Sequence, residues 1–230
     1  MRYLFVSFII SLLLAPTLAA QTIPVALKRS SWPDAQGELS ITETGLEFRE
    51  RNKEASRTWP YRDIQTIDRR SRTEFAILSY EDQWWKLGRD RQYTFRVTSG
   101  ELTDELFERI RVGLAKPVTD RVIGEVSGVE RRLPVKHLHS LGGCDGELIV
   151  TPETIYYQTE HAEDARAWRL ASDISSFWSG QPYELELHVY ENNSREFSRT
   201  RTFKFSLKEQ LDPEFYRNLK LRMYALGAYP

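Results

Sequence analysis

The 230-residue chain is predicted to be mainly β, with two similar halves that each run through several antiparallel strands and end in one amphipathic helix. Three observations predict it: a long-period internal repeat, apolar residues alternating at period two, and a switch to a spacing of four near the end of each half. In the repeat, Gly37-Glu38-Leu39 returns as Gly146-Glu147-Leu148 and Trp59 as Trp168, at a spacing of 109. Ile23-Pro24-Val25 returns as Leu133-Pro134-Val135, Asp63-Ile64 as Asp173-Ile174, Tyr80-Glu81 as Tyr190-Glu191 and Tyr93-Thr94-Phe95 as Phe203-Lys204-Phe205, at 110. So long a period means a domain present twice, whereas a solenoid repeats every few tens of residues.

The elements follow from local pattern. Leu39 and Ile41 alternate with polar residues, as do Leu46 and Phe48, and Thr42-Glu43-Thr44-Gly45 between them supplies a turn; this is the signature of a half-buried hairpin. Leu148 and Val150, the turn 151–154, then Ile155 and Tyr157 repeat it. Residues 75–78, 93–97, 183–187 and 202–207 read as further strands, and Glu184 and Glu186 give one of them a wet face. Leu102, Leu106 and Ile110, and in the second half Leu211, Phe215 and Leu219, are spaced for one helical face. Asp212-Pro213-Glu214 has the form of an N-cap, a first-turn proline and a first-turn carboxylate, and Thr103-Asp104-Glu105 is its counterpart. Gly113 and Pro117 are expected to end the first helix.

Arg2, the apolar run 4–14 and the small residues 17–20 have the three regions of a secretory signal peptide. The expected division is a signal peptide at 1–20, a first domain at 21–117, a linker at 118–128 and a second domain at 129–230. An extracytoplasmic location, periplasmic or secreted, follows, with no membrane span after cleavage. The single cysteine, Cys144, has no partner for an internal disulfide, so packing alone holds the chain. The formal net charge is -1 and both halves are near neutral, which argues against a nucleic-acid binder.

Strands closed by one helix in about 100 residues, with the Gly-x-Leu hairpin, the tryptophan, Asp-Ile and the C-terminal helix, resemble the pleckstrin-homology-like (PH-like) superfamily, in particular its bacterial members. The resemblance spans nearly all of the chain after residue 20. It implies two tandem PH-like antiparallel β-barrels or sandwiches, each closed by its helix, and a binding or scaffold module for a protein or peptide of the cell envelope. Neither helix carries the tryptophan of eukaryotic pleckstrin domains, and the loop after the first strand offers only Lys28 and Arg29 as bases, so inositol-lipid binding is not implied. An immunoglobulin-like sandwich is the structural alternative, although that fold lacks the terminal helices.

Residues 133–149 concentrate what does not repeat. His137 and His139 are two apart on an expected strand and share a face with Val135. The Gly142-Gly143 turn can fold the Cys144 thiol back toward them. In the first half the same positions hold Leu27, Arg29 and Ala35, so the fold does not require these three residues. Two imidazoles and a thiol suit zinc, copper or haem iron, with His161, His188 or Asp145 as a fourth ligand; satisfied strand histidines beside a small buried cysteine are the plain alternative. Trp84, Trp85, Arg89 and Arg91 interleave aromatics with bases and are the candidate partner-binding surface, with an anionic membrane as the alternative partner. Arg69, Arg70 and Arg72 form a further basic cluster. No nucleophile–base–acid motif, carboxylate pair or phosphate loop appears, and the chain is expected to be non-enzymatic.

Overall fold

A computed structural model describes residues 21–51, 56–83, 89–191 and 200–227. The first half contains β1 (Gln21–Leu27), β2 (Ala35–Ile41), β3 (Gly45–Glu50), β4 (Arg57–Pro60), a 3₁₀ turn (Tyr61–Asp63), β5 (Ile64–Arg69), β6 (Glu74–Gln83), β7 (Arg89–Val97), α1 (Asp104–Leu114) and the short β8 (Thr119–Asp120). The second half contains β9 (Arg131–Leu138), β10 (Gly143–Val150), β11 (Thr154–Thr159), β12 (Arg166–Arg169), β13 (Ile174–Trp178), β14 (Glu184–Val189), β15 (Arg201–Leu207) and α2 (Pro213–Ala225). The chain is therefore mainly β, as its period-two patterning predicts. The signal-like segment 1–20 and the Trp84/Trp85 pair lie outside the described residues, and no described helix is long and apolar enough to cross a membrane.

Apart from β8, which is added at one edge of the first, the two sheets have the same strand order. The first runs β4-β3-β2-β1-β7-β6-β5-β8 and the second β12-β11-β10-β9-β15-β14-β13, so in each the opening strand pairs with the last strand before the helix. The registers also agree. Leu27 lies opposite Ala35 on the β1–β2 ladder, and His137 lies opposite Cys144 on the β9–β10 ladder. The recurring Gly-Glu-Leu has a steric cause. A Cβ on Gly37 would sit 2.3 Å from the Arg49 carbonyl oxygen and 2.7 Å from the Phe48 ring, and one on Gly146 would sit 2.5 Å from the Gln158 oxygen and 2.6 Å from the Tyr157 ring. Each glycine lets an aromatic ring of the next strand lie flat over the backbone.

Two apolar cores result. Val25, Leu39, Phe48, Trp59, Ile67, Phe75 and Phe95 fill the first, and α1 adds Phe107, Ile110 and Leu114. Val135, Leu148, Tyr157, Trp168, Phe177, Leu187 and Phe203 fill the second, with Leu219 and Met223 from α2. Burying each large apolar side chain of this kind is worth roughly 1.5–3 kcal/mol, so the helical stripe, three residues on α1 and two on α2, is a substantial part of each half's stability.

The helical faces differ from the expected ones. Leu102 and Leu211 are buried but precede their helices, Leu106 and Phe215 are only partly buried, and the stripes continue one turn further, to Leu114 and Met223. Bulk decides it: Phe107 takes the central place on α1. Gly113 lies inside α1, where a Cβ would stand 2.3 Å from the Tyr61 ring, and the helix ends instead at Ala115 in the left-handed conformation. The N-caps are as expected, with Thr103 accepting from Leu106 N and Asp212 from Glu214 N at 2.8 Å.

The two halves meet along the segment after α1. There β8 joins the first sheet in parallel with β5. Arg111 Nη1 stands 3.4 Å from Asp173 Oδ2, Arg169 pairs with Glu108, and Arg69, fully buried, faces Asp104 at 2.6 Å and Asp120 at 3.6 Å. The run Arg69, Arg70 and Arg72 is thus not a free basic patch: Arg70 pairs with Asp68 and Glu74, and Arg72 with Glu101 and Asp104. Lys28 and Arg29 are likewise bound to Glu74 and Glu50.

Candidate metal centre

The β9–β10 hairpin builds the site from below. Position 137 alternates inward with Leu133 and Val135, so its imidazole enters the core and is only 3% exposed. Phe203 and Phe205 flank it at ring distances of 5.1 and 5.2 Å, and Tyr157 lies 5.6 Å away. The strand ends at Leu138, and His139 N donates to Gly142 O across the turn. Gly142 takes a φ of 85° there, a conformation that disfavours residues with a Cβ. The turn delivers Cys144 opposite His137 on the neighbouring strand, and adjacent residues in register project to the same face.

The three residues singled out in the sequence converge. The rings of His137 and His139 meet edge to face at 4.4 Å, and His139 Nε2 lies 3.3 Å from Cys144 Sγ. The remaining member is Asp164, which closes the turn before β12 with its N–H donating to His161 O. Its Oδ2 lies 3.2 Å from His139 Nε2 and accepts from Cys144 Sγ at 3.5 Å. One ring nitrogen each from His137 and His139 and a carboxylate oxygen of Asp164 all fall within 4.8 Å of one another.

Asp164 replaces the three expected candidates for a fourth ligand. Asp145 is exposed and pairs with Lys208, His188 Nδ1 faces Thr202 Oγ1 at 3.1 Å, and His161 only lends its carbonyl oxygen to the Asp164 turn. No ligand-spacing rule points to Asp164, which lies 20 residues beyond Cys144. The aligned position in the first half, Ala55, is outside the described residues.

Burial sets the chemistry of these groups. It pushes His137 down from 6.5 to about 4, and the neighbouring His139 adds to the effect. His137 is therefore neutral at pH 7, with a lone pair to give. Its Nδ1 is buried and has no hydrogen-bond partner, a costly state for a polar atom that a ligand would relieve. Burial also raises the Cys144 thiol, reinforced by its hydrogen bond to Asp164, which keeps it protonated rather than nucleophilic. Cys144 Sγ and Asp164 Oδ2 both address the same nitrogen of His139. A catalytic triad places thiol and acid on opposite nitrogens of the ring, so this cluster is not one.

Of the other candidate surface only Arg89 and Arg91 are among the described residues. Arg91 lies over the Tyr93 ring at 5.2 Å and Arg89 is exposed at the start of β7.

No family model matches the chain. No curated protein matches it either. Among solved structures it is similar to the C-terminal domain of an unknown protein from Leishmania infantum, at 13% identity, over 42% of this chain and 84% of that one, with a TM-score of 0.31. It is also similar to the Spt16D Pob3N heterodimer structure, at 12% identity, over 80% of this chain and 95% of that one, with a TM-score of 0.34.

Proposed function

We propose that this chain is an extracytoplasmic, non-enzymatic protein of two PH-like domains, 21–117 and 129–230, of which the second binds one divalent transition-metal ion through His137, His139, Cys144 and Asp164. The observation that carries the reading is a triangle of donor atoms. His139 Nε2, Asp164 Oδ2 and Cys144 Sγ are separated by 3.2, 3.3 and 3.5 Å. A tetrahedral ion with bonds of about 2.0–2.1 Å to N or O and about 2.3 Å to S has edges of roughly 3.3–3.6 Å, so the triangle has the size of one tetrahedral face. A ring nitrogen of His137 lies within 4.8 Å of the His139 and Asp164 donor atoms and is the candidate fourth ligand.

Two nitrogens, an oxygen and a sulfur suit borderline ions such as zinc or copper(II) rather than calcium or magnesium. Haem fits less well: imidazole rings 4.4 Å apart leave no slot for a macrocycle between them. Metal capture would expel the thiol proton and occupy the Cys144–Asp164 hydrogen bond. Repeated strand order, repeated register and a repeated ion pair, Arg57–Glu81 at 2.7 Å and Arg166–Glu191 at 2.9 Å, support duplication of one domain, with the metal set confined to the second copy. The partner expected of such a module is a protein or peptide of the cell envelope, added along β4 or β13, which end their sheets.

The test is a cobalt(II) titration of untagged protein. A single saturating equivalent, with intense tetrahedral d–d bands and a sulfur-to-cobalt charge-transfer band that Cys144→Ser removes, is the expected result. Absence of saturable binding would refute the reading.

A further inference from the structure

Asp164 reaches the site from a turn, and that turn is held from outside the second sheet. The carbonyl oxygen of its neighbour Glu163 accepts two arginine hydrogen bonds. One comes from Arg166 Nη1 at 2.6 Å, within the same sheet, and Arg166 is itself fixed by Glu191. The other comes from Arg121 Nη1 at 3.0 Å. Arg121 belongs to the segment docked on the first sheet: its N–H donates to Arg69 O at 3.0 Å. Its Nε and Nη2 grip both oxygens of Asp68, on β5, at 2.9 Å each. One planar guanidinium thus spans the joint, with a bidentate carboxylate on the first sheet and the ligand-bearing turn of the second.

Resting on the metal reading above, we infer that Arg121 is a positioning residue for Asp164, and that metal binding at the second sheet is thermodynamically coupled to the docking of the two halves. Within the second sheet the turn is held by the Asp164 and Ala165 N–H groups donating to His161 O and by Arg166; His161, Ala162 and Glu163 are exposed, and Glu163 O, next to the ligand, is the anchor that also reaches the first sheet. With Arg121 in place the Asp164 carboxylate is preset against His139, and without it that carboxylate must be ordered at the moment of binding. Coupling of this kind is reciprocal: the ion that needs the turn in place also favours the docked arrangement that places it.

Zinc affinity is measured by competition with a chromophoric chelator for the full-length protein, Arg121→Gln, Asp68→Asn and the double variant. Asp68→Asn leaves every residue of the second half intact. Both single variants are expected to bind one zinc about tenfold or more weakly, the usual effect of losing an outer partner of a ligand. The double variant is expected to be little worse than either, because both break one clamp. As a second readout on the unaltered protein, zinc is expected to slow proteolysis of the 115–130 segment, with calcium as the inert control. Affinities within twofold of the parent protein, or cleavage indifferent to zinc, would overturn the coupling. Failure of the unaltered protein to bind zinc would instead sink the metal reading and the coupling with it.

Discussion

Replacing Asp120 by asparagine should remove one pH-dependent contribution to stability between pH 4 and 7. Asp120 is buried, with Arg69 Nη1 and Arg111 Nη2 at 3.6 and 3.7 Å and the Val122 N–H at 3.1 Å. Burial pushes its carboxyl from 3.8 up to about 6, against the pull of the two arginines. A folded-state value above the unfolded one means that the folded protein keeps a proton the unfolded chain has released. The stabilisation is complete below about pH 4 and is lost as pH rises through about 6. The interval between the two values corresponds to about 3 kcal/mol, at roughly 1.4 kcal/mol per pKa unit. The amide introduced by Asp120→Asn cannot titrate, so the stability difference between variant and parent should shift by about 3 kcal/mol in the variant's favour from pH 4 to pH 7. Urea unfolding at fixed ionic strength, in the presence of a chelator, measures it. A difference that is constant across this range would refute the reasoning.

Other substitutions probe the two halves against each other. Trp168 Nε1 donates to Glu191 at 3.1 Å, whereas Trp59 Nε1 is buried without a partner. Trp168→Phe should therefore destabilise more than Trp59→Phe, by roughly 1.5–3 kcal/mol in denaturant unfolding, the worth of a hydrogen bond to a charged acceptor; equal losses would contradict this. Gly37→Ala and Gly146→Ala should each cost about 1–3 kcal/mol, because backbone and an aromatic ring occupy the space of the new methyl. Thermal melts showing either to be neutral would count against the assigned packing. Asp212→Ala should cost about 1 kcal/mol by removing the cap from α2, with loss of helical circular dichroism confined to partial fraying.

What the sequence made legible was whatever periodicity and repetition encode. The alternation of Leu39, Ile41, Leu46 and Phe48 placed the β2–β3 hairpin, and the 109–110 spacing placed its counterpart. Comparison of the halves also isolated His137, His139 and Cys144, and the β1–β2 and β9–β10 registers put Leu27 and Ala35 in the matching places. Asp164 was invisible because its role depends on a turn whose position is set by β12 pairing with β11, a long-range fact without a local pattern. Arg69 read as one of a basic run, yet it is buried among Asp104, Asp120 and the Phe107 ring. Charge runs look solvated until topology supplies their partners. The helical stripes were displaced by one turn for a related reason: a spacing of four fits several faces, and the bulk of Phe107 chooses among them.

The most direct test of the proposed metal site is the metal content of untagged protein purified from its own expression host, followed by its melting temperature before and after chelation. The proposal predicts about one zinc or copper per chain, a melting temperature that falls on chelation and recovers on adding the ion back, and loss of both effects in a His137→Ala/His139→Ala double variant. Stoichiometrically metal-free protein that takes up no added ion, with melting unchanged by chelator, would contradict it.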